Sequence, residues 1–455
     1  MTNTNPCDDN NPCTTLDVCA TGTCLGTAIN CDDGKICTAD LCVGGVCQHN
    51  PNTAVCDDGN PCTVGDTCAA GVCTPGTTKS CEDGDPCTVD GCNSTGCFHS
   101  AKSCGANGAC DAVTGQCDCV TGWGVCGGTT CDTNLAADPA NCGGCGYSCG
   151  LGACDNSSCV LASNLGQISS IAVDSTTIYV ASNGNNAIYG VPIAGGAVAT
   201  LASSQSGPNS IAVDGTNVYW TNQFNGTVMR VPKGGGSATV FANGQTTPWA
   251  IALNSSYVFW VTFGPADANS NYPNGTVMRM TKTGNGPVSL ATAQNKPFSV
   301  AADESSVYWV NGGTNTLTKT GVYSVPINGG TPSVLVDGSG NVWTTPTAIA
   351  VDATRVFWGQ AGDAYSDAVV VQMPLDGSSW VGVSTGEELA RLALDSTMVY
   401  WTNGNGHAVR KAPIGGKGSA TTVATDVSYT RAIAVDANHV YWAGAGTGKV
   451  RRVHK

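Results

Sequence analysis

The sequence predicts an all-β protein in which a disulfide-rich, loop-rich stalk precedes a seven-bladed β-propeller. Three observations predict this division. All 27 cysteines lie between Cys7 and Cys159, and a strand-like segment recurs seven times in the 296 residues that follow. The charge divides at the same place, because residues 1–159 hold 18 Asp and Glu against 3 Lys and Arg, whereas residues 160–455 hold 15 against 16. The main domain boundary is therefore predicted near residue 160.

Cysteine spacing divides the start of the stalk into four repeats of 24 to 25 residues, which begin at Cys7, Cys31, Cys56 and Cys81. A segment this short cannot bury a hydrophobic core, so cross-links must supply the missing stabilisation. Disulfides persist in oxidising compartments, which predicts a secreted, extracellular or cell-surface protein. Connectivity stays open, because even four cysteines allow three pairings.

An odd number of cysteines leaves one that is free or bonded to another chain, so an intermolecular disulfide is possible. We expect the unpaired cysteine to be Cys126 or Cys131, because both lie at an ambiguous junction between two spacing patterns. The predicted domains are four cysteine-rich repeats at 1–100, an EGF-like segment at 101–130, a cysteine-rich motif at 131–159 and the propeller at 160–455.

Two stalk motifs resemble those of known families. The string CDDGNPCT, which begins at Cys56, is similar to the repeat of slime-mould prestalk matrix proteins and of secreted myxobacterial proteins. The string CDCVTGWGVC, which begins at Cys117, resembles the end of an EGF-like module, with five of the usual six cysteines in the segment. The first resemblance implies an extracellular-matrix or cell-surface setting.

Clustered oxygen donors make calcium a candidate ligand of the stalk. Asp57, Asp58, Asn60 and Asp66 lie within ten residues and offer carboxylate and amide oxygens, which are the ligands that Ca²⁺ prefers. The alternative is that these residues only form turns, since Asp-Gly and Asn-Pro are common turn sequences. No other cofactor is predicted.

The propeller prediction depends on a repeat of 40 to 49 residues. Such a period, built of short strands separated by Gly, Asn and Asp turns, is typical of propeller blades. The repeated motifs IAVD, IAVD, IALN, VAAD, IAVD, LALD and IAVD begin at Ile171, Ile211, Ile251, Val300, Ile349, Leu392 and Ile433. The seventh repeat ends after three strands, and Val160–Ser163 has the pattern of the missing fourth. We therefore expect that segment to pair with Lys449–Val453 and close the ring.

The second strand of most repeats carries an aromatic pair such as Tyr219-Trp220, which we interpret as packing between blades. The string VYWTN at Val218 and Val399 resembles the YWTD/NHL-like propellers, including those of the low-density-lipoprotein receptor family. That resemblance implies an extracellular platform for protein binding. The sequence departs from the family at Asn222 and Asn403, which replace its terminal Asp, and in having seven predicted blades where six are usual.

No catalytic residue is predicted, and the chain is not expected to be an enzyme. The aspartates that end the repeated motifs occur in six blades, which indicates an architectural role. The propeller histidines lie in predicted turns or in the tail. Insertions break the symmetry of the repeats, and their aromatic residues Phe263, Tyr272, Trp343 and Tyr365 are the candidate ligand-binding residues. The alternative is that these rings only cover blade edges.

These features favour a secreted or cell-surface binding or matrix protein whose partner is an extracellular protein or a glycan. The two alternatives are a propeller enzyme of the lactonase or lyase type and a purely structural matrix component. The acidic stalk argues against nucleic acid as a partner. No apolar run approaches the roughly 18 to 20 residues that span a bilayer. The first residues also lack the basic and apolar regions of a signal peptide.

Overall fold

The structure, a computed structural model, describes residues 5–268, 272–312, 320–338, 346–360, 369–385, 389–403, 408–416, 420–425, 430–444 and 446–455. Every regular element in these residues is a β-strand, so the predicted all-β class is confirmed. Within the same residues no helix is long and apolar enough to cross a membrane. The chain forms two compact units, Met1–Cys119 with Thr129–Cys131, and Val120–Gly128 with Asp132–Lys455. The four predicted domains are a finer division and stay a prediction.

The first unit consists of short antiparallel hairpins. Its strand pairs are Thr14–Ala20 with Thr23–Ala28, Thr38–Val43 with Val46–Pro51, Thr63–Val64 with Thr77–Thr78, Thr67–Ala69 with Val72–Thr74, Thr88–Asn93 with Gly96–Ala101, and Gly108–Cys110 with Cys117–Cys119.

A regular disulfide ladder replaces a hydrophobic core in this unit. In every repeat the first cysteine bonds to the fourth. In the first three repeats the second cysteine bonds to the third cysteine of the following repeat, and in the fourth repeat it bonds to Cys110. The bonds within repeats are Cys7–Cys24, Cys31–Cys47, Cys56–Cys73 and Cys81–Cys97. The bonds between successive repeats are Cys13–Cys42, Cys37–Cys68 and Cys62–Cys92, and Cys87–Cys110 continues the series. Each such link stabilises by about 3 kcal/mol, by restricting the unfolded chain.

The free cysteine is Cys19, and the prediction of Cys126 or Cys131 is wrong. Cys126 bonds to Cys145, and Cys131 bonds to Cys119. The ladder gives the physical reason. Cys19 is the third cysteine of the first repeat, and its counterparts in later repeats all bond to the second cysteine of the repeat before.

In the second unit, seven sheets form the blades of the propeller, which confirms the predicted seven blades. Blade one comprises Ile168–Val173, Thr177–Ser182, Ala187–Pro192 and Ala199–Ala202. Blade two comprises Pro208–Val213, Asn217–Asn222, Thr227–Pro232 and Thr239–Ala242. Blade three comprises Pro248–Leu253, Tyr257–Thr262, Gly275–Thr281 and Val288–Gln294. Blade four comprises Pro297–Ala302, Ser306–Asn311, Gly321–Pro326 and Ser333–Asp337. Blade five comprises Pro346–Val351, Arg355–Gln360, Val369–Pro374 and Val381–Thr385. Blade six comprises Leu389–Leu394, Met398–Asn403, Ala408–Pro413 and Thr421–Ala424. Blade seven comprises Thr430–Val435, His439–Gly444, Val450–His454 and Ser158–Ala162.

The ring closes as predicted, because Ser158–Ala162 pairs antiparallel with Val450–His454 as the fourth strand of blade seven. One feature was not predicted: Ala153–Asp155 adds a fifth strand outside it. The carboxylate of Asp155 accepts hydrogen bonds from Arg451 at 2.5 Å and from Lys449 at 3.3 Å. The bond from Arg451 lowers the pKa of Asp155. A short strand pair, Trp123–Gly124 with Thr133–Asn134, lies in the same unit.

The aromatic pairs of the second strands form the core between neighbouring blades, as predicted. Their tryptophans are almost fully buried, and in three blades the indole Nε1 donates to a glutamine Oε1 from the preceding fourth-strand region. These donor pairs are Trp220 with Gln205, Trp260 with Gln245 and Trp309 with Gln294, at 2.8 to 3.0 Å. A buried indole N–H needs such a partner, so the glutamines complete the core.

The repeated aspartates at the ends of the first strands cap turns, which confirms their predicted architectural role. In blade one, Asp174 Oδ1 accepts hydrogen bonds from the backbone N–H groups of Thr176 and Thr177, and Oδ2 accepts one from the Tyr179 hydroxyl. Burial alone would raise the pKa of Asp174, but these bonds and the contact with Lys233 lower it to about 2. The same arrangement recurs at Asp303, Asp395 and Asp436.

Candidate functional site

The two ends of the propeller differ in what they carry. The first strands begin at one end, where the loops between second and third strands also lie because neighbouring strands are antiparallel. We call it the loop end. The opposite end, the turn end, carries the Asp-capped turns and the connections from third to fourth strands. The described part of the blade-three insertion, which joins the second strand to the third, therefore lies at the loop end.

Every blade contains a β-bulge near the start of its first strand, at the loop end. In blade two, for example, Pro208 pairs with Asn222 and Ser210 pairs with Thr221, so the intervening Asn209 has no partner across the ladder. A bulged residue leaves the normal alternation of the strand, and bulges commonly re-aim a side chain next to a functional site. The bulges of blades two, three, four and seven thus place Asn209, Trp249, Phe298 and Arg431 at the start of the central channel.

These seven positions have different chemistry in each blade, in contrast to the repeated aspartates at the turn end. In chain order the residues two before the repeated Ile, Val or Leu are Ser169, Asn209, Trp249, Phe298, Thr347, Ala390 and Arg431. Asn209, Trp249, Phe298 and Arg431 line a channel cavity of about 160 Å³. Ring positions that vary while the scaffold repeats are where a specific ligand can be recognised.

The aromatic side of this ring is a cluster of four rings, Trp249, Phe263, Tyr272 and Phe298. Trp249 and Phe263 are stacked with their centroids 4.4 Å apart, and Phe298 lies 5.4 Å from Trp249. Tyr272 lies 5.4 Å from Phe263. Phe263 is only 4% exposed, whereas the other three rings are half-buried. Phe263 therefore supports the cluster from below, and Trp249, Tyr272 and Phe298 present its accessible surface.

Lys296 places a positive charge on this aromatic cluster. Its Nζ lies 5.6 to 5.8 Å from the ring centroids of Phe263, Tyr272 and Phe298, within the range of cation–π attraction. Its backbone N–H donates to the carbonyl of Tyr272 and fixes the blade-three loop against blade four. The φ angle of Lys296 is 49°, an uncommon conformation for a side chain of this kind. Backbone strain of this sort is concentrated at functional sites.

Of the four predicted ligand-binding residues, the structure brings Phe263 and Tyr272 together, while Trp343 and Tyr365 lie outside the described residues. Within the cluster Phe263 is buried and Tyr272 is partly accessible, and ligand binding by either residue stays a prediction. Sequence analysis missed Trp249 and Phe298, since they lie in strands and not in insertions. Aligning the repeats could have found them, because Trp249 and Phe298 occupy the position at which blades one and two have the smaller polar residues Ser169 and Asn209.

The charged side of the channel is formed by Arg431, the bulged residue of blade seven, and by Arg391, which follows the bulged position in the first strand of blade six. Both arginines line the channel cavity. Burial, and to a smaller extent the charge of Arg431, lower the pKa of Arg391 to about 10. Arg431 is exposed and also lines a second cavity of about 700 Å³, which we call the mouth cavity.

The channel cavity has no carboxylate or imidazole in its lining. Among the described residues that line it, none is an Asp, Glu or His. His439 and His454 lie at the turn end, where His454 stacks on Tyr147 at 4.2 Å. Burial and then the charge of Arg452 lower the pKa of His439. His407 lies outside the described residues.

The predicted calcium ligands of the stalk cap turns within their own repeat. Asp57 Oδ1 accepts from the N–H of Gly59, and Asn60 Oδ1 accepts from that of Cys62. Asp58 Oδ1 accepts from the N–H of Asn60, and Asp66 Oδ2 accepts from that of Asp58. The backbone N–H groups of Gly76 and Asp58 donate to the Asp66 carboxylate and lower its pKa. The turn interpretation explains all four residues, and calcium binding stays a prediction.

Comparison with known proteins gives the fold and no family. No protein-family model and no curated protein matches the sequence. The chain is similar in fold to virginiamycin B lyase from Staphylococcus aureus. In that match the TM-score is 0.52 and the identity 10%, covering 65% of this chain and 97% of the lyase. U3-55K matches with a TM-score of 0.52, 12% identity, and 65% and 98% coverage. The WD40 repeats of RRP9 match with a TM-score of 0.51, 12% identity, and 65% and 96% coverage.

Identities this low establish the propeller fold alone, which agrees with the seven sheets described above. They do not transfer the chemistry of any of these proteins. None of the matched structures bears on the cysteine-rich repeats, so the resemblance of the stalk to prestalk and myxobacterial repeats stays a prediction, as does the EGF-like segment.

Proposed function

We propose that this chain is a secreted or cell-surface binding protein whose propeller holds an extracellular protein or a glycan at the loop end. One observation carries the proposal. The lining of the channel at the loop end is chemically asymmetric, with accessible aromatics on blades three and four and arginines on blades six and seven, whereas the turn end repeats one architectural residue. Variable groups on a rigid repeated scaffold are the usual design of a binding surface.

The cysteine chemistry supports an extracellular setting. All cysteines except Cys19 form disulfides within the chain, which requires an oxidising compartment. Cys19 is partly buried and occupies a position whose counterparts are all bonded to a neighbouring repeat. We include in the proposal that Cys19 is the position for a disulfide to another chain, through which the stalk attaches the propeller to a matrix or surface.

A propeller enzyme of the lyase type is the second candidate, favoured by the fold similarity to virginiamycin B lyase. An acid–base mechanism on this scaffold would need ionisable groups with tuned pKa values at the channel. The groups that line the described channel are instead aliphatic, aromatic, amide, hydroxyl and guanidinium groups. This composition supports binding over catalysis. The purely structural alternative predicts no specific ligand at all.

The test is a binding screen with the labelled full chain against a glycan array and a panel of immobilised extracellular proteins. We compare the parent chain with Trp249→Ala and with the matched control Trp380→Ala. Trp380 is 46% exposed and follows the third strand of blade five, so it lies at the turn end. The proposal predicts a ligand whose signal falls at least tenfold in Trp249→Ala and is retained in Trp380→Ala.

Two results would contradict the proposal. A ligand lost equally in both variants would place binding elsewhere, and the absence of any ligand would favour the structural alternative. Elemental analysis of the purified full chain runs beside the screen. A stoichiometric divalent metal other than calcium would favour the enzyme candidate, whereas stoichiometric calcium would support the predicted stalk site.

A further inference from the structure

Two arginines depart from the residue pattern of the first strands in blades six and seven. Arg391 lies one residue before the repeated Leu392, and Arg431 lies two residues before the repeated Ile433. The residue just before the repeated Ile, Val or Leu is serine in three blades, where its hydroxyl accepts the backbone N–H of the next blade. These bonds join Ser170 to Ile211, Ser210 to Ile251 and Ser299 to Ile349, at 3.3 to 3.4 Å. Blade six has Arg391 at this position. A guanidinium therefore occupies a position that other blades use for joining strands.

Arg391 and Arg431 line the same narrow cavity and repel one another. Arg391 is half-buried, and both its burial and the charge of Arg431 disfavour its charged form. Guanidinium groups are the side chains best suited to planar, bidentate contact with carboxylate and sulfate groups. The pair has the chemistry of an anion-binding site.

The lining of the mouth cavity beside Arg431 indicates which other chemical groups the ligand has. Its lining offers amide and hydroxyl groups from Asn164, Gln167, Asn185 and Thr447, together with bare glycine backbone. No apolar side chain is among the residues that line it in the described structure. A peptide ligand would be anchored by apolar pockets, whereas a lining of amides, hydroxyls and backbone suits a ligand rich in hydroxyl groups.

Two positions in the wall of the mouth cavity, Gly166 and Gly448, have no room for a side chain. A Cβ atom on Gly448, whose φ is +60°, would lie 2.9 Å from the backbone nitrogen of Gly166. A Cβ atom on Gly166 would lie 2.4 Å from the amide oxygen of Asn185. Larger residues would therefore disturb the junction of blades seven and one, and the backbone stays accessible to a ligand.

We propose that the channel mouth binds an anionic glycan, with a carboxylate or sulfate group held by Arg391 and Arg431. Neighbouring hydroxyls face the amides of the mouth cavity, and a sugar ring packs against Trp249 and Phe298 across the channel. This inference rests on the proposed function, because it names the ligand class of the same site. The propeller as a whole is nearly neutral, so the preference for anions comes from these two side chains and not from the overall field.

The experiment is isothermal titration calorimetry of the full chain with three defined oligosaccharides of equal length. The three probes are an oligoglucuronate, its carboxyl-reduced neutral counterpart and a sulfated glucan. The inference predicts that at least one anionic probe binds ten times or more tighter than the neutral one. It also predicts that affinity falls as salt rises. The two anionic arms distinguish carboxylate from sulfate recognition, and binding of either supports the inference.

Variants connect that preference to the two arginines. Arg431→Gln, at an exposed position, is expected to weaken anionic binding at least tenfold and to reduce the preference for the anionic probe over the neutral one. Arg391→Gln is expected to do the same, and Arg391→Lys guards against a folding defect, because it keeps the charge and is expected to retain part of the affinity. Arg355→Gln is the matched control, since Arg355 begins the second strand of blade five at the turn end.

The failure of this inference can be distinguished from the failure of the proposed function. Equal binding of anionic and neutral probes, or anionic binding unaffected by both glutamine variants, overturns the inference while the proposed function stands. An oligoglutamate peptide that binds tighter than every glycan, with the same dependence on Arg431, also overturns it. If the binding screen found no ligand whose signal depends on Trp249, that result would contradict the proposed function itself.

Discussion

The turn carboxylate of Asp174 allows a stability prediction that can be worked from the structure. Its Oδ1 accepts two backbone N–H groups at 2.9 Å, and its Oδ2 accepts the hydroxyl of Tyr179 at 3.0 Å and contacts Lys233. These bonds lower the pKa of Asp174 from 3.8 to about 2 despite its burial. At about 1.4 kcal/mol per pKa unit, the ionised carboxylate adds about 2 kcal/mol to the free energy of unfolding.

Asp174→Ala removes that contribution and leaves the Tyr179 hydroxyl without its acceptor, so we expect a loss of about 3 kcal/mol at pH 7. Asp174→Asn should cost less, about 1 to 2 kcal/mol, because an amide oxygen can still accept both turn N–H groups. Blade three provides the natural precedent: Asn254 Oδ1 accepts the N–H groups of Ser256 and Tyr257. The assay is guanidinium-induced unfolding of the full chain, followed by tryptophan fluorescence.

The pH dependence gives a sharper test of the same reasoning. Because the pKa of Asp174 is lower in the folded chain, its contribution is complete above about pH 4 and is lost as the pH falls toward about 2. The stability difference between the parent and Asp174→Ala should therefore shrink over that interval. A difference below 0.5 kcal/mol at pH 7, or one that stays constant down to pH 2, would refute the argument.

Three further predictions test other parts of the fold. Thiol titration of the denatured full chain should find one reactive group per molecule, which Cys19→Ser abolishes without changing the unfolding midpoint; more than one would contradict the disulfide ladder. Asp155→Asn should lower the free energy of unfolding by about 1 kcal/mol, because it weakens the contacts with Arg451 that hold the closing strand, and an unchanged value would argue against that role. Gln245→Ala should lower the free energy of unfolding by about 1 to 3 kcal/mol, because it leaves the buried indole N–H of Trp260 without an acceptor. Urea unfolding measures this value, and an unchanged free energy would contradict the role of that hydrogen bond.

Much of the fold could be predicted because it depends on periodic information. The repeated IAVD motifs gave seven blades, and the incomplete seventh repeat together with Val160 gave the closing strand. The fifth strand, Ala153–Asp155, could not be found in this way, because it occurs in one blade only and has no repeat to compare. The free cysteine was missed for a different reason: Cys19 is identified by a connection between successive repeats, and spacing alone left that connection open.

The candidate site was predicted in part. Phe263 and Tyr272 stand in an insertion, where a break in symmetry is visible in the sequence. Trp249 and Phe298 stand in strands, and their exposure at the channel follows from a β-bulge that re-aims their side chains. A bulge depends on how the backbones of two strands pair, which the sequence pattern does not show. From the pattern alone, these rings are predicted to be ordinary strand residues. Arg431 was missed for the same reason.

The central claim is that the channel mouth at the loop end is where this protein binds its ligand. Hydroxyl-radical footprinting of the full chain, with and without a ligand selected by the binding screen, tests it most directly. We predict that the ligand protects Trp249, Tyr272 and Phe298 from oxidation and leaves Trp380 at the turn end unchanged. Protection of Trp380 with no change at Trp249 would contradict the claim.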